Sequence, residues 1–419
     1  MLYKILRPIT RRILQGYYQK IYVDGTENIP AGQPVILAVN HPSGFTEPCV
    51  LATHLDRELY FLMRGDVIND RIKWFFEATN QVPIYRFRDG FSSMRQNEKQ
   101  FSFCFDVLQD NGCIIIFAEG TTQHIKHTRP IQKGAARIAT GAMKNRDLEE
   151  VWVVPVGVNF EHSPRARSSV AVQIGTPVST REMMKCHEED PRKALEEISD
   201  QIFTGLKSGM IHIEDRDRMT TADFLLDMRS HEIHKRRWPV AEYGDSFYFE
   251  QMKKMADAIN DLEEEAWRQM EEKLILYRQK LAEYKVCDQA LTRPKISYPY
   301  LLGAAPFAMA GGLFFYPVKR IVYFIQRRLN QSAEYVSGFR LAGFLLFIPI
   351  FLLLWIGITW QWMGVWSLLL IVILPVFSHV SVLWLDQWRL WKIMARWNQL
   401  DHEKKKELAL LRSQVMNYF

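Results

Sequence analysis

Short apolar runs punctuate the first part of the chain: Pro34-Val35-Ile36-Leu37-Ala38-Val39, Leu59-Tyr60-Phe61-Leu62-Met63, Gln81-Val82-Pro83-Ile84-Tyr85-Arg86, Cys113-Ile114-Ile115-Ile116-Phe117 and Val151-Trp152-Val153-Val154-Pro155-Val156-Gly157-Val158. Each is strand-length, rich in β-branched and aromatic residues, and bounded by turn formers, so each predicts a buried strand. Between them lie helical patterns over 48–55, 71–78, 91–109 and 134–144, the third closed by the C-cap signal Asn111-Gly112. Strands that are apolar along their whole length need cover on both faces. The pattern therefore predicts an α/β module over about 20–210, a mostly parallel sheet flanked by helices.

The pattern changes further on. Residues 179–213 are polar and helical. Over 247–286, Met255, Ile259, Leu262, Ala266, Met270, Leu274, Tyr277, Leu281 and Tyr284 recur three or four positions apart, one apolar stripe on a single long helix. Long uncharged runs follow at 298–385. The runs 341–360 and 365–385 each match the roughly 20 residues that cross a bilayer, and only Gln361-Trp362-Met363-Gly364 separates them, which predicts a tight membrane hairpin. The segment 298–318 carries Pro299, Pro306 and Pro317, and reads as re-entrant or interfacial. The tail, 386–419, places Trp388, Trp391 and Trp397 among basic residues, as an interfacial helix does.

Basic residues stand on both sides of the hairpin: Lys319, Arg320, Arg327, Arg328 and Arg340 before it, Arg389, Lys392 and Arg396 after it. This puts both ends in the cytosol and predicts an integral membrane protein with a cytosol-facing α/β domain, in a bacterial inner membrane. Residues 1–20 mix Lys4, Arg7, Arg11 and Arg12 with Leu2, Ile5, Leu6, Ile9 and Leu14. They read either as an amphipathic segment on the membrane surface or as a first helix packed on its own domain; the longest apolar run there is too short for a signal-peptide core.

Composition narrows the chemistry. A net charge of +6 over 419 residues, with scattered basic groups, suits anionic lipid head groups and gives no nucleic-acid stripe. Cys49, Cys104, Cys113, Cys186 and Cys287 have no metal-ligand spacing and read as reduced, buried thiols. His124 and His127 lack a third ligand at sensible spacing, and no Gly-x-Ser-x-Gly elbow is present, which argues against a serine hydrolase.

Two strand ends carry reactive groups. After the first run comes Asn40-His41-Pro42-Ser43-Gly44-Phe45-Thr46-Glu47. A neutral imidazole can take a proton from an attacking hydroxyl, and a carboxylate on the next turn can hold its other nitrogen, so His41 and Glu47 are a candidate pair. After the fourth run comes Ala118-Glu119-Gly120-Thr121-Thr122, where a glycine between polar residues lets backbone N–H groups approach a phosphate, with Lys133 and Arg86 as countercharge.

Asn40-His41-Pro42-Ser43 with Glu47, Val82-Pro83-Ile84-Tyr85-Arg86, Phe117-Ala118-Glu119-Gly120-Thr121 and Val154-Pro155-Val156-Gly157 resemble, in order and spacing, the four blocks of the PlsC-type glycerolipid acyltransferases. The resemblance covers about 35–160. It implies the fold of that family and transfer of an acyl chain, from acyl-CoA or acyl carrier protein, to a hydroxyl of glycerol 3-phosphate or a lysophospholipid. In that reading His41 is the general base and Glu47 its orienting carboxylate. Arg86 and the Glu119-Gly120-Thr121 turn position the acceptor's phosphate, and Pro155 shapes the pocket. The chain departs from the family pattern where Thr46 holds the usual aspartate position, and where Ala118 and Thr122 replace the usual proline and a frequent arginine; Arg129 and Lys133 are the cations able to replace the missing charge. The segment 128–137 resembles glycerol-3-phosphate acyltransferase-like proteins of bacteria and fungi with membrane tails.

The thioester brings its own driving force, so no metal or bound cofactor is expected, and the expected partners are membrane lipids, the acyl donor and the acceptor. Two alternatives stand beside this reading: acylation of a lysolipid without a phosphate, and a catalytically inactive lipid-binding scaffold.

Overall fold

The computed structural model describes residues 2–65, 71, 73–84, 91–233, 238–329 and 332–419, with backbone only at 91–97. The chain divides into two compact units: one of Met1–Ile211, Val240–Ser246 and Gln331–Leu341, the other of His212–Pro239, Phe247–Asn330 and Ala342–Phe419.

The first unit holds a nine-stranded sheet. In chain order its strands are β1 (Lys20–Asp24), β2 (Val35–Val39), β3 (Leu59–Arg64), β4 (Gln81–Ile84), β5 (Cys113–Phe117), β6 (Trp152–Phe160), β7 (Ser169–Ile174), β8 (Val178–Ser179) and β9 (Ala241–Tyr243). Laid side by side they run β4-β3-β5-β2-β6-β7-β1-β9, with β8 on β6. The apolar runs became β2 to β6, all parallel to one another, as fully apolar strands should be. Tyr85 and Arg86, the end of the third run, lie outside the described residues.

Four strands add to that set. β6 pairs antiparallel with β7 and β8, while β1 runs parallel between β7 and β9. β1 hides because it opens on a lysine, which sequence alone assigns to the surface. Here Lys20 is fully buried and its ammonium is neutralised by Glu242 of β9. A charge can be buried when its partner is fixed, and this partner lies 222 positions away.

The first unit's helices are α1 (Leu2–Tyr17), α2 (Thr46–His54), α3 (Lys73–Ala78), α4 (Phe91–Gln109), α5 (Gly134–Arg146), α6 (Thr180–Cys186) and α7 (Pro191–Gly209). Small and branched residues of α5 and α7, among them Ala135, Ala139, Ile198 and Ile202, bury against Ile36, Ala38 and Ile114 of the sheet. α1 packs on α2, burying Leu14 and Tyr17, with Arg7 donating to the carbonyl of Leu55; Ile5 and Ile9 stay exposed. Of the cysteines, Cys104 and Cys113 are buried but Cys186 and Cys287 are exposed, because their positions follow helix ends rather than core faces.

His54, in the last turn of α2, points its Nδ1 at the carbonyl of Val50, 3.0 Å away. Burial pushes its pKa from the ordinary 6.5 down to about 4, the Val50 bond opposing and Arg11 and Arg7 adding to the shift. The unfolded chain then binds more protons between those values. The contribution of His54 to stability is fully present above about pH 6.5, and up to about 3 kcal/mol of it is lost as the pH drops through 4. His54→Asn keeps a donor for Val50 and removes the titration, so its melting temperature should fall less between pH 7 and pH 4.5 than the wild type's.

The second unit is helical: α8 (Met219–Glu232), α9 (Phe247–Asp261), α10 (Glu264–Glu283), α11 (Tyr298–Gly303), α12 (Ala305–Arg328), α13 (Ala333–Met363, its start in the first unit), α14 (Leu370–Gln399) and α15 (His402–Met416). The single long helix expected over 247–286 is therefore two. Arg218 reaches the carbonyls of Ile259 and Leu262 at 3.3 and 2.9 Å, and Asn260 is tied to His212 and Glu214, so the freed backbone groups at the break find partners outside the helix. Asp288 joins α8, α10 and α15: His231, the Tyr277 hydroxyl and Arg412 each lie 2.8 Å from its carboxylate. Burial works against that charge, but His231 and Arg412 outweigh it and hold the pKa below the usual carboxylate range.

Two helical segments, Ala305–Arg328 and Ala333–Gln399, are long and apolar enough to cross a membrane. The second contains both runs of the expected hairpin, joined by a 3-10 turn at Gly364–Leu369 in which Gly364 takes φ +53°. α12 continues ten residues past 318 as one 24-residue helix, about 36 Å of rise. It packs closely on α14. A Cβ at Gly311 would fall 2.1 Å from the Phe377 backbone, and the Ser381 hydroxyl donates to the carbonyl of Ala308. Small residues and a hydroxyl bond are how helices pair where no water drives them together.

Candidate active site

The parallel pairing of β2 with β5 sets Val39 beside Phe117, so the turns leaving the two strands meet at their carboxyl ends. That is where open α/β sheets place their sites. Asn40 is buried just past β2, and its side chain extends the ladder to β6: Nδ2 donates to the Val158 carbonyl at 3.0 Å and Oδ1 accepts the Val158 N–H at 2.7 Å. With the backbone held there, His41 emerges in a fixed direction.

Glu47, in the first turn of α2, is fully buried. Its Oε1 lies 3.1 Å from His41 Nδ1 and accepts the Ser43 N–H at 2.5 Å. An ionised carboxylate only accepts, so Nδ1 carries the imidazole hydrogen and Nε2 is left as the basic nitrogen. The His41 ring also stacks on Phe117, centroids 3.9 Å apart and planes 18° from parallel. Glu47 and the aromatic face together fix both tautomer and ring plane.

Thr46, at the position where the aspartate usually stands, turns elsewhere: its hydroxyl is 3.1 Å from that of Ser43 and 2.9 Å from that of Ser337. Cys49, two residues along α2 from Glu47, is no rival nucleophile. Burial, reinforced by the Glu47 charge, pushes its thiol up to about 12.

Glu119 binds the two turns together. It accepts the His41 N–H at 3.1 Å and the Arg129 N–H at 3.3 Å, and pairs with the Arg129 guanidinium. Arg129 in turn donates to the Thr121 hydroxyl at 2.6 Å and the Thr121 carbonyl at 2.5 Å. Gly120 sits between them at φ +67°, a conformation in which a side chain is strained. The loop's far side is held by Gln123 N–H to the His41 carbonyl at 3.1 Å.

The structure thus brings His41, Glu47, Glu119, Gly120 and Thr121 to one place and adds Arg129. Two other candidates are engaged in contacts of their own. Lys133 pairs with Glu196 at 2.8 Å on the surface. The Pro155 ring packs on α7 and the β7 end, where a Cβ at Gly205 or Gly175 would approach it to 2.4 or 3.0 Å. Arg86 lies outside the described residues. Sequence reasoning missed the Phe117 stack, for which the strand-end position was a signal. It also missed Ser337, for which nothing local was.

Residues 20–159 match the family model described as Acyltransferase. These residues are an acyltransferase-family domain. Among curated proteins, the chain is 24% identical over 252 residues to glycerol-3-phosphate O-acyltransferase 1 of Saccharomyces cerevisiae, covering 54% of this chain and 31% of that one. It is 28% identical over 124 residues to glycerol-3-phosphate O-acyltransferase 2 of the same yeast, covering 29% and 17%. The chain thus spans about a third or less of the length of these relatives. Among solved structures it is similar to the 1-acyl-sn-glycerophosphate acyltransferase PlsC of Thermotoga maritima, with 20% identity, a TM-score of 0.36, and coverage of 49% of this chain and 79% of that one.

Proposed function

We propose that the protein transfers an acyl chain from the thioester of CoA or acyl carrier protein to a hydroxyl of glycerol 3-phosphate or a lysophospholipid. The observation that carries this is the His41–Glu47 contact at 3.1 Å with Glu47 fully buried, which leaves Nε2 as a base beside a polar turn. The acceptor oxygen attacks the thioester carbonyl while Nε2 takes its proton. Glu47 stabilises the imidazolium. The tetrahedral intermediate then collapses, the C–S bond breaks, and the departing thiolate recovers the proton from Nε2 as free thiol. Every proton is accounted for by His41, so this scheme requires neither metal nor cofactor.

The two apolar segments fit a lipid product, and the basic residues flanking 341–385 favour a cytosolic α/β domain in a bacterial inner membrane. A second reading, acylation of a lysolipid without a phosphate, is favoured by one observation: Arg129 and Lys133 are already paired with Glu119 and Glu196. Purified protein in nanodiscs, given acyl-CoA or acyl carrier protein with glycerol 3-phosphate, phosphate-bearing lysolipids and neutral lysolipids, decides between them by the mass of the product. Phosphate-bearing product supports the first reading. Product from neutral acceptors alone overturns it.

A further inference from the structure

We infer that Ser337, on the first turns of α13, is a positioning residue for the His41–Glu47 pair; this rests on the function proposed above. Its side chain is fully buried, and its hydroxyl lies 3.0 Å from that of Ser43 and 2.9 Å from that of Thr46, which are themselves 3.1 Å apart. Three buried hydroxyls thus close a triangle, two of them from the turn between His41 and Glu47 and one from 291 positions further along the chain.

The neighbouring contacts aim at the same turn. The Gly44 N–H donates to the Glu334 carbonyl at 3.1 Å, and the Ser43 hydroxyl lies 3.3 Å from that same oxygen. Gly44 lies against the Tyr335 ring, where a Cβ would fall 2.3 Å from a ring carbon, and Gly338 lies against Phe45, where a Cβ would fall 2.8 Å from the Phe45 Cβ. The two glycines let the helix and the turn interlock.

The path to the reacting atoms is short. Ser337 fixes the Ser43 and Thr46 hydroxyls. The Ser43 N–H binds Glu47 Oε1, the same oxygen that receives His41 Nδ1. Ser337 touches neither His41 nor Glu47, so its effect must pass through the angle at which Ser43 presents its N–H. A small loss of alignment at the base is costly, because displacements of about 1 Å can lower rates by about 10²-fold.

The test compares Ser337→Ala with the matched pair Ser337→Thr and Ser337→Val, which have the same shape and differ only in the hydroxyl. Expected are a kcat about tenfold lower for Ala and Val, an unchanged KM for the acyl donor, a melting temperature lowered by a few degrees in both, and recovery of most of the kcat loss in Thr. In a Glu47→Gln background, Ser337→Ala should lower kcat by less than about twofold, since its route is already cut. Wild-type kcat in both Ala and Val, equal kcat in Thr and Val, or a full further tenfold loss in the Glu47→Gln background overturns the inference. His41→Ala is assayed alongside: if it transfers acyl groups at the wild-type rate, the proposed function fails, whereas an inactive His41→Ala with a fully active Ser337→Ala removes only the positioning role.

Discussion

Glu47→Gln is expected to lower kcat by about 10⁴-fold with little change in fold or in KM for the acyl donor. The carboxylate and the amide are nearly the same size, and the buried site that accepts one accepts the other. The chemistry differs. An ionised Glu47 can only accept, which forces the hydrogen of His41 onto Nδ1, 3.1 Å away, and leaves Nε2 free to take a proton. A glutamine that turns its amide N–H toward Nδ1 gives up the Ser43 N–H bond and selects the tautomer in which Nε2 already bears hydrogen, and one that keeps its oxygen there retains the tautomer. Either way it withdraws the negative charge that stabilises the imidazolium. Steady-state kinetics in nanodiscs, with circular dichroism as the folding check, measure this. A loss below about tenfold contradicts the assigned role of Glu47.

Arg129→Leu carries the second large effect, on stability as well as on activity. Glu119 and Arg129 are both buried and paired, and the guanidinium also holds Thr121 through its hydroxyl and carbonyl. Removing one member leaves the other as an uncompensated buried charge, which costs about 3–5 kcal/mol. Glu119 is also the acceptor for the His41 N–H, so the turn that presents the base loosens with it. We expect a lower midpoint in denaturant with an unchanged m-value, and a fall in kcat. Arg129→Leu with Glu119→Leu should recover part of the stability, because no charge is then stranded, but not the activity. A single variant as stable as the wild type contradicts the structural role of the pair.

The parallel half of the sheet was legible in the sequence because each of its strands is apolar along its length, a local property. β1, β7 and β9 were not, since Lys20 in β1 is compatible with a core only once Glu242 is beside it. The same distinction runs through the site. His41 and Glu47 lie six positions apart and could be read as a pair, and it is Glu47 rather than Thr46 that the first turn of α2 sets against His41. Arg129 was read as countercharge for a ligand, yet it is folded into the Glu119-Gly120-Thr121 turn, a geometry that depends on how the 121–129 loop returns. Of the residues near the blocks, Lys133 pairs with Glu196 at the surface and Pro155 packs against α7, contacts that depend on chain returning from beyond the blocks. Ser337 was invisible because it precedes the apolar run at 341–360 and meets a turn 291 positions earlier in the chain.

The most direct test of the central claim is acyl transfer by purified wild-type protein and His41→Ala, assayed side by side in nanodiscs with the best donor and acceptor from the panel. The account predicts a new ester product in the wild type and its loss by at least about 10²-fold in a variant that melts at the same temperature. Equal product from both proteins contradicts it, since the hydroxyl's proton would then leave by a route that does not involve His41.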